Sequence, residues 1–378
     1  MILGVVKEAA ASECRVALVP TAISSLLKAG FSVTIEAGAG VPAGYLDDAY
    51  RAVGATVVDR KTALEADVVA VVRYLGADPD NADALAKSMR PGQIWIGHAD
   101  PLSRPDLVQA AAATKATLTA MELVPRITRA QSMDALSSQA NLAGYKSVLL
   151  GAEALDKVLP MMTTAAGTIP PAKVMILGVG VAGLQAIATA RRLGAVVSAY
   201  DVRPETKTQV ESLGARFVEL DLKAEQGEGG YAKAQSEDFI RSQQELLGDA
   251  LAEIDIVITT AAVPGRKAPI LVTLAMLAKM RPGSVLVDIA AERGGNCEAT
   301  RPGETVVVNG VRILGPVNIP GTIAFHASAM YAKNVANYLL NLVKDKTLAP
   351  NPEDPIVAES FLTRDGEVVN SRVREALV

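Results

Sequence analysis

Three glycines between Gly178 and Gly183 form the pattern with the clearest chemical meaning in this sequence. The run Gly178-Val179-Gly180-Val181-Ala182-Gly183 follows a short apolar stretch at residues 174–177 and precedes a helical segment at 181–193. Gly178 would permit a tight turn, Gly180 would let backbone amides approach a pyrophosphate, and Gly183 would let the helix pack closely. The free N–H groups and the dipole of that helix both favour an anion at its start. The segment therefore predicts a dinucleotide-binding turn.

An acidic residue stands at the distance where such a site needs one. The apolar run at 196–200 ends at Asp201, and Val202 and Arg203 follow it directly. A carboxylate there would accept hydrogen bonds from the adenosine ribose hydroxyls and would repel a 2′-phosphate. Arg203 keeps NADP(H) open as an alternative, because a guanidinium can meet that phosphate. A glycine-rich turn without a ligand is the structural alternative, but strand, helix and acid together favour NAD(H) binding.

The elements that must position these residues form two α/β units. In the first unit, strands are predicted at 2–6, 32–36, 56–58, 68–72, 94–97 and 117–120, with helices at 21–29 and 104–114. In the second unit, strands are predicted at 174–177, 196–200, 216–219, 254–259 and 284–288. This alternation is typical of parallel sheets covered by helices.

Two long helical segments connect the units. One is predicted at 130–158, before Pro160, and the other at 321–343. One helix would carry the chain from the first unit to the second and the other would return it, so the N-terminal domain is expected to be discontinuous. The expected fold is two Rossmann-like domains, each with a doubly wound parallel sheet. The expected domains are 1–128 with 327–378, and an NAD(H)-binding domain at 129–326.

Three further segments have local signals. Residues 304–314 are predicted to form a hairpin around Asn309-Gly310, and residues 356–369 another around Asp365-Gly366. The glycine-rich stretch at 226–231 is predicted to be a mobile loop.

Composition indicates an enzyme-sized cytoplasmic chain. It has 378 residues, a net charge of −4 and a mean hydropathy of +0.25, without an apolar run long enough for a membrane span or a signal peptide. Cys14, Cys297, His98 and His326 match no disulfide framework or metal-binding spacing. The acidic balance argues against nucleic acid as a partner.

The sequence closely resembles a known family. The segments MELVPRITRAQSMDALSSQ at 121–139, MMTTAAGT at 161–168 and GVGVAGLQAIATARRLGAVV at 178–197 resemble the NAD(H)-binding component, in its soluble alpha-1 subunit form, of proton-translocating nicotinamide nucleotide transhydrogenase. The resemblance covers essentially the whole chain. It implies a homodimer that transfers hydride from NADH to NADP⁺ on an NADP(H)-binding subunit. A third, membrane-embedded proton-channel subunit would couple this transfer to proton movement and hold the chain at the membrane periphery.

The resemblance also implies a set of site residues. The nicotinamide would be positioned by Arg126, Gln131 and Asp134, with Ser137 close by. Arg126 could pair with Asp134, but such a pair could equally be an ordinary salt bridge at a helix start without a role in the site. Direct hydride transfer between two rings needs close apposition and no general base. Further cofactor contacts are expected from the residues around these positions and around the glycine turn: Ile127, Thr128, Ser132, Met133, Gly178, Val179, Gly180, Val181, Gly183, Asp201, Val202, Arg203, Gly230, Tyr231, Gln243, Thr260 and Ala262. Tyr231 would close over the bound nucleotide.

Alanine dehydrogenase, which shares this architecture, is the competing interpretation. Arg15 and His98 match two of the four groups that surround pyruvate in that family. Arg73 stands where a lysine is expected and Glu292 where an aspartate is expected. Because arginine does not deprotonate, it cannot replace lysine in acid–base chemistry. A nucleotide-sensing protein without turnover is a third alternative that fits the glycine turn equally well.

Overall fold

The computed structural model describes residues 1–219, 237–262 and 265–377, and for residues 237–243 the backbone alone. The chain divides into two compact units. Residues 1–139 and 320–378 form unit 1, and residues 140–319 form unit 2. Each unit is built around one large sheet.

The N-terminal portion of unit 1 alternates strands with short helices. Its elements are β1 (Ile2–Val5), α1 (Pro20–Lys28), β2 (Ser32–Glu36), α2 (Asp47–Ala52), β3 (Thr56–Val58), α3 (Arg60–Leu64), β4 (Val68–Arg73), α4 (Ala82–Ala86), β5 (Ile94–His98), α5 (Pro105–Ala112) and β6 (Thr117–Ala120). A 3₁₀ turn at Thr128–Met133 follows, and then the long helix α6 (Ala135–Ala154) continues into unit 2.

Unit 2 repeats the alternation, and the chain then completes unit 1. The unit 2 elements are β7 (Met162–Thr164), β8 (Gly167–Ile169), β9 (Lys173–Leu177), α7 (Val181–Arg192), β10 (Val196–Tyr200), α8 (Thr206–Ser212), β11 (Arg216–Phe217), α9 (Glu237–Leu251), β12 (Ile256–Thr259), α10 (Leu274–Leu277), β13 (Val285–Asp288), β14 (Thr305–Val308) and β15 (Val311–Leu314). The returning elements are α11 (Ala324–Asn341), β16 (Val343–Lys344), β17 (Thr347–Leu348), α12 (Pro355–Ser360), β18 (Phe361–Arg364), β19 (Glu367–Val368) and α13 (Ser371–Ala376).

The unit 1 sheet has eight strands in the order β19-β18-β6-β5-β4-β1-β2-β3. The strands β1 to β6 run parallel, and β18 from the end of the chain pairs antiparallel with β6. Val68 and Ala70 of β4 face one apolar cluster while Val69 faces another, so the strand is buried on both sides. Double burial explains why these strands appear as continuous apolar runs in the sequence.

The unit 2 sheet has seven strands in the order β11-β10-β9-β12-β13-β15-β14. All neighbours are parallel except the pair β14 and β15. Successive strands are added on one side of β9 and then on the other, so the order reverses between β9 and β12. In sheets of this kind, ligands bind at the carboxyl ends of the strands beside that reversal. The predicted α/β class with two Rossmann-like sheets is confirmed.

One hairpin prediction is confirmed and another is partly wrong. Asn309 and Gly310 have φ of +50° and +78° and join β14 to β15, as their sequence predicts. The predicted hairpin at 356–369 begins too early, because residues 355–360 form the helix α12. The Asp354 carboxylate accepts a hydrogen bond from the Ile356 amide at 2.9 Å and Pro355 occupies the first turn, which together start a helix.

The long helices are shorter than their apolar periodicity predicts. α6 begins at Ala135 rather than 130 because Asp134, with ψ of 88°, leaves the helical region. α11 covers Ala324–Asn341 rather than 321–343, after a 3₁₀ turn at Ile319–Ile323. The strand predicted at 216–219 is limited to Arg216–Phe217. The predicted mobile loop at 226–231 lies outside the described residues.

Candidate nucleotide-binding site

The glycine turn of unit 2 joins β9 to α7. Gly178 has φ of +99°, a left-handed conformation that favours glycine. A Cβ on Gly183 would lie 2.0 Å from the Gly178 carbonyl oxygen, so α7 packs against the turn only because that side chain is absent. A Cβ on Gly180 would meet no atom within 4 Å. The structure therefore explains Gly178 and Gly183 by backbone geometry and packing, whereas Gly180 leaves open space beside the start of α7.

Asp201 holds this turn from the end of β10. Its carboxylate accepts hydrogen bonds from the Val179 amide at 2.7 Å and from the Arg203 Nε at 2.9 Å and Nη2 at 3.0 Å. The Asp201 side chain is 7% exposed and the Arg203 side chain 22%. Because the guanidinium is paired with Asp201, its charge is compensated within the protein. This pairing supports NAD(H) over NADP(H), since a 2′-phosphate would have to compete with the carboxylate for Arg203.

Thr260 brings a third strand end to the turn. Its hydroxyl donates a hydrogen bond to the Gly178 carbonyl at 2.8 Å, and its amide donates to the Leu177 carbonyl at 2.8 Å. The predicted residues at the ends of β9, β10 and β12 thus meet at one edge of the sheet. Val181 begins α7, while Val202 and Ala262 lie in the loops after β10 and β12. Gly230 and Tyr231 lie outside the described residues, and Gln243 is described only by its backbone in α9.

The segment 126–137 of unit 1 contains the predicted nicotinamide-positioning residues. Arg126, Gln131 and Ser132 are exposed, as are Ile127 and Thr128. The Asp134 carboxylate accepts hydrogen bonds from the Ser137 amide at 2.8 Å and from the Ser137 hydroxyl at 2.6 Å, which caps the start of α6. Met133 is 6% exposed and belongs to the apolar core of unit 1. Pairing of Arg126 with Asp134 and contact of these residues with a nucleotide stay predictions.

This segment is anchored by residues that the sequence analysis did not single out. Arg129 donates hydrogen bonds to Asn341 at 2.8 Å and to Asp354 at 3.1 Å. Asn334 of α11 donates to the Ser132 carbonyl at 2.9 Å. The Arg129 hydrogen bonds lower the pKa of Asp354 to about 2, although partial burial opposes the shift. The exposed polar residues thus project from a backbone that is fixed at several points.

Arg15 and His98 lie in a buried polar region of unit 1. Arg15 is 6% exposed; its Nε donates to the Glu13 carboxylate at 2.8 Å and its Nη1 to Gln139 at 2.9 Å. The His98 Nδ1 lies 3.4 Å from the Glu122 carboxylate. Arg73 donates through Nε to the Ala77 carbonyl at 2.7 Å. These side chains therefore have partners within unit 1.

The described stretches of the chain contain no cluster of three or more His, Cys, Asp or Glu side chains that could hold a metal ion. Among the same residues, no helix is long and apolar enough to cross a membrane.

Gly180 and Gly183 make a matched pair for testing the turn. Gly180→Ala should leave the melting temperature unchanged, since its Cβ meets no protein atom, but should raise the Kd for NADH by at least about tenfold because pyrophosphate needs that space. Gly183→Ala should lower the melting temperature because its Cβ meets the Gly178 carbonyl. Calorimetry and NADH fluorescence titration measure both effects. Unchanged NADH binding by Gly180→Ala would contradict a pyrophosphate at this turn.

The pairing of Arg129 with Asp354 should make the stability of the protein depend on pH in the acid range. Because the folded pKa of Asp354 is about 2 and the ordinary value is 3.8, its contribution to stability is present above pH 4 and is lost as the pH falls from about 4 towards 2. Asp354→Asn should be less stable than wild type at pH 7. As the pH falls from about 4 towards 2, the variant should lose less stability than wild type does. Urea unfolding at several pH values measures this. Parallel stability curves for the two proteins would contradict the anchor.

Comparison with known proteins places the chain in a family. The models for the N-terminal and C-terminal domains of the alanine dehydrogenase/PNT family match residues 4–143 and 147–371. The chain is 47% identical over 377 residues to an NAD(P) transhydrogenase alpha subunit chain of Rhodospirillum rubrum, covering 98% of each. It is 27% identical over 386 residues to alanine dehydrogenase of Bacillus subtilis, covering 100% of this chain and 95% of the relative.

A solved structure agrees with these similarities. The crystal structure of a transhydrogenase from Sinorhizobium meliloti superimposes with a TM-score of 0.86 at 44% identity, covering 98% of this chain and 99% of that one. The resemblance noted from the sequence is thereby confirmed, with alanine dehydrogenase as a more distant relative. The chain belongs to the alanine dehydrogenase/PNT family, among the transhydrogenase alpha subunits, and its family binds NAD(H).

Proposed function

We propose that this chain is the NAD(H)-binding subunit of a proton-translocating NAD(P)⁺ transhydrogenase. It binds NADH and transfers hydride directly to NADP⁺ held by a separate subunit. The observation that carries the proposal is the open Gly180 backbone beside Asp201 in a chain with 47% identity to a transhydrogenase alpha subunit. The sequence contains one G-x-G-x-x-G fingerprint, which is consistent with an acceptor nucleotide supplied by a partner.

Hydride transfer between two nicotinamide rings places few chemical demands on the protein. No proton has to be moved at the reacting carbons, so the residues must bind, orient and exclude water. Gln131 and Asp134 can hold the carboxamide and ribose by hydrogen bonds, and Arg126 contributes an exposed guanidinium to the same segment. NADH supplies the hydride when it is bound. The anchored backbone around Ser132 would hold these groups in one orientation.

Proton translocation would belong to a membrane-embedded subunit. The NADP(H)-binding subunit would dock where the nicotinamide of this chain is presented, near Gln131. The chain would then be peripheral to the membrane and attached through its partners.

A transfer assay tests the proposal directly. The purified chain is mixed with a recombinant NADP(H)-binding transhydrogenase subunit, NADH and a thionicotinamide analogue of NADP⁺, whose reduced form absorbs at a separate wavelength. Reduction of the analogue is expected only with both proteins present. NADH oxidation by the chain alone with pyruvate and ammonium would instead identify an alanine dehydrogenase. NADH binding without transfer in the mixture would favour a sensor.

Gln131 and Asp134 should affect transfer more than binding. Gln131→Asn and Asp134→Asn should leave the Kd for NADH within a few-fold but slow hydride transfer by about 10- to 100-fold, because the nicotinamide is held less accurately. Asn at 134 can still cap α6, so the fold should persist. Asp106→Asn makes the same change in the first turn of α5, at an exposed position, and serves as the control. Full transfer rates in both site variants would refute their role.

We also infer that the chain is a homodimer. The hairpin of β7 and β8 forms a two-stranded sheet of its own in unit 2, with Met161, Met162 and Ile169 exposed by 65%, 43% and 50%. Isolated two-stranded hairpins are only marginally stable in water, so apolar residues on this hairpin favour burial against a second copy. The hairpin of β14 and β15 is instead joined to the unit 2 sheet through β15.

Charge placed on the first hairpin should separate the dimer. Met162→Lys combined with Ile169→Lys should give the mass of a monomer in light scattering at micromolar concentration. Val307→Lys, at a 64% exposed position of β14, should leave the dimer intact. A monomeric wild type would contradict the homodimer. Dissociation by Val307→Lys alone would move the interface to the other hairpin.

A further inference from the structure

Asn296 uses each of its polar atoms inside the protein. It is fully buried in the loop after β13. Its amide donates to the Asp288 carboxylate at 2.7 Å, and its carbonyl accepts from the Leu271 amide at 2.7 Å and the Val272 amide at 3.0 Å. The backbone bonds alone would hold this residue in place, so they do not explain why its side chain is a carboxamide.

The Asn296 side chain connects Ala261 with Pro269, both of which follow β12 in the chain. Its Oδ1 accepts from the Ala261 amide at 3.1 Å, and its Nδ2 donates to the Ala261 carbonyl at 2.8 Å and to the Pro269 carbonyl at 2.8 Å. A carboxamide is the small side chain that can accept one bond and donate two in this arrangement. The residues that follow β12 are thus fastened to the loop after β13.

The fastened residues lie against the glycine turn. Ala261 follows Thr260, whose hydroxyl donates to the Gly178 carbonyl at 2.8 Å. The Ala261 amide nitrogen lies 3.2 Å from the position that a Cβ on Gly178 would occupy. The order of strands in the unit 2 sheet reverses between β9 and β12, so β12 lies on the opposite side of that point from β10. In a dinucleotide-binding fold built from two halves, β12 therefore belongs to the half that does not bind adenosine. A shift of Ala261 would therefore change the wall of the nicotinamide half.

We propose that Asn296 is a positioning residue for the nicotinamide half of bound NAD(H). It touches no nucleotide itself; it fixes Ala261 and Thr260 against the Gly178 turn before the nucleotide arrives. Because Thr260 and Ala261 are already held in place, nucleotide binding does not have to restrict them. The inference rests on the NAD(H) binding in the proposed function and adds a residue that neither the glycine pattern nor the segment 126–137 includes.

Asn296→Asp tests the side chain with almost no change in volume. The aspartate keeps an acceptor for the Ala261 amide but turns a carboxylate oxygen towards the carbonyls of Ala261 and Pro269, which breaks the two donated bonds. The Kd for NADH should rise by about tenfold, because unpaired buried groups of this kind are costly and Ala261 is no longer held in place before binding. The Kd for 5′-AMP, which occupies only the adenosine half, should change by less than about twofold. Isothermal titration calorimetry measures both ligands.

Thr300→Val is the matched control. The Thr300 hydroxyl lies in the same buried network but donates its hydrogen bond to Asp288, at 2.6 Å, rather than to Ala261. This variant should lose stability while keeping wild-type affinity for NADH and 5′-AMP. Asn296→Ser, which also removes the paired donation, provides a second test if Asn296→Asp does not fold.

The outcomes separate this inference from the proposed function. Wild-type NADH affinity in both folded Asn296 variants would overturn the positioning role, as would an equal loss of NADH and 5′-AMP binding, which indicates general disruption of unit 2. Failure of the wild-type chain to bind NADH would overturn the proposed function itself, and this inference with it.

Discussion

Close backbone approach at the glycine turn is the constraint on which the rest of unit 2 depends. A Cβ on Gly183 would lie 2.0 Å from the Gly178 carbonyl, and a Cβ on Gly144 of α6 would lie 2.0 Å from the Ala182 carbonyl of α7. The turn, α7 and the unit 2 portion of α6 are therefore stacked at distances that no larger residue permits. Because packed interiors yield little, these contacts determine where the amide groups of the turn point.

Short polar side chains fix the loops and helix starts in both units. Asp134 caps α6, Asp354 caps α12 and binds Arg129, and Asp288 receives four hydrogen bonds from the loop that follows it. Asn296 pairs with Ala261 much as a neighbouring strand would. Loops lack the regular bonding of a sheet, so side-chain oxygens and amides satisfy their backbone groups instead.

Much of the framework was accessible from the sequence because its causes are local. β2, β3, β6 and β10 have the predicted bounds, since their apolar runs end at turn residues. Asn309-Gly310 determined its hairpin through backbone preference alone. The start of α6 was misplaced because apolar periodicity continues through the 3₁₀ turn at Thr128–Met133, and only the cap at Asp134 marks the boundary.

The candidate site was accessible only to a limited extent. The glycine turn and Asp201 have a fixed spacing that reveals them, and the segment 126–137 was found by family resemblance. Arg129 and Asp354 are 225 residues apart, so their pairing has no local signal. Asn296 lies 35 residues from Ala261 in an otherwise ordinary glycine-rich loop. Contacts of this kind follow from the fold and cannot be recovered from spacing or composition.

The pairing of β6 with β18 also has a consequence during synthesis of the chain. Leu118 of β6 donates its amide to the Thr363 hydroxyl, a partner 245 residues later. At typical translation rates, roughly 10 to 50 s separate the appearance of these two strands. During that time β6 is an open sheet edge, which is the kind of surface that invites mispairing. All of unit 2 is synthesised within the same interval. Unit 2 can therefore fold before unit 1, whose two segments precede and follow it in the sequence.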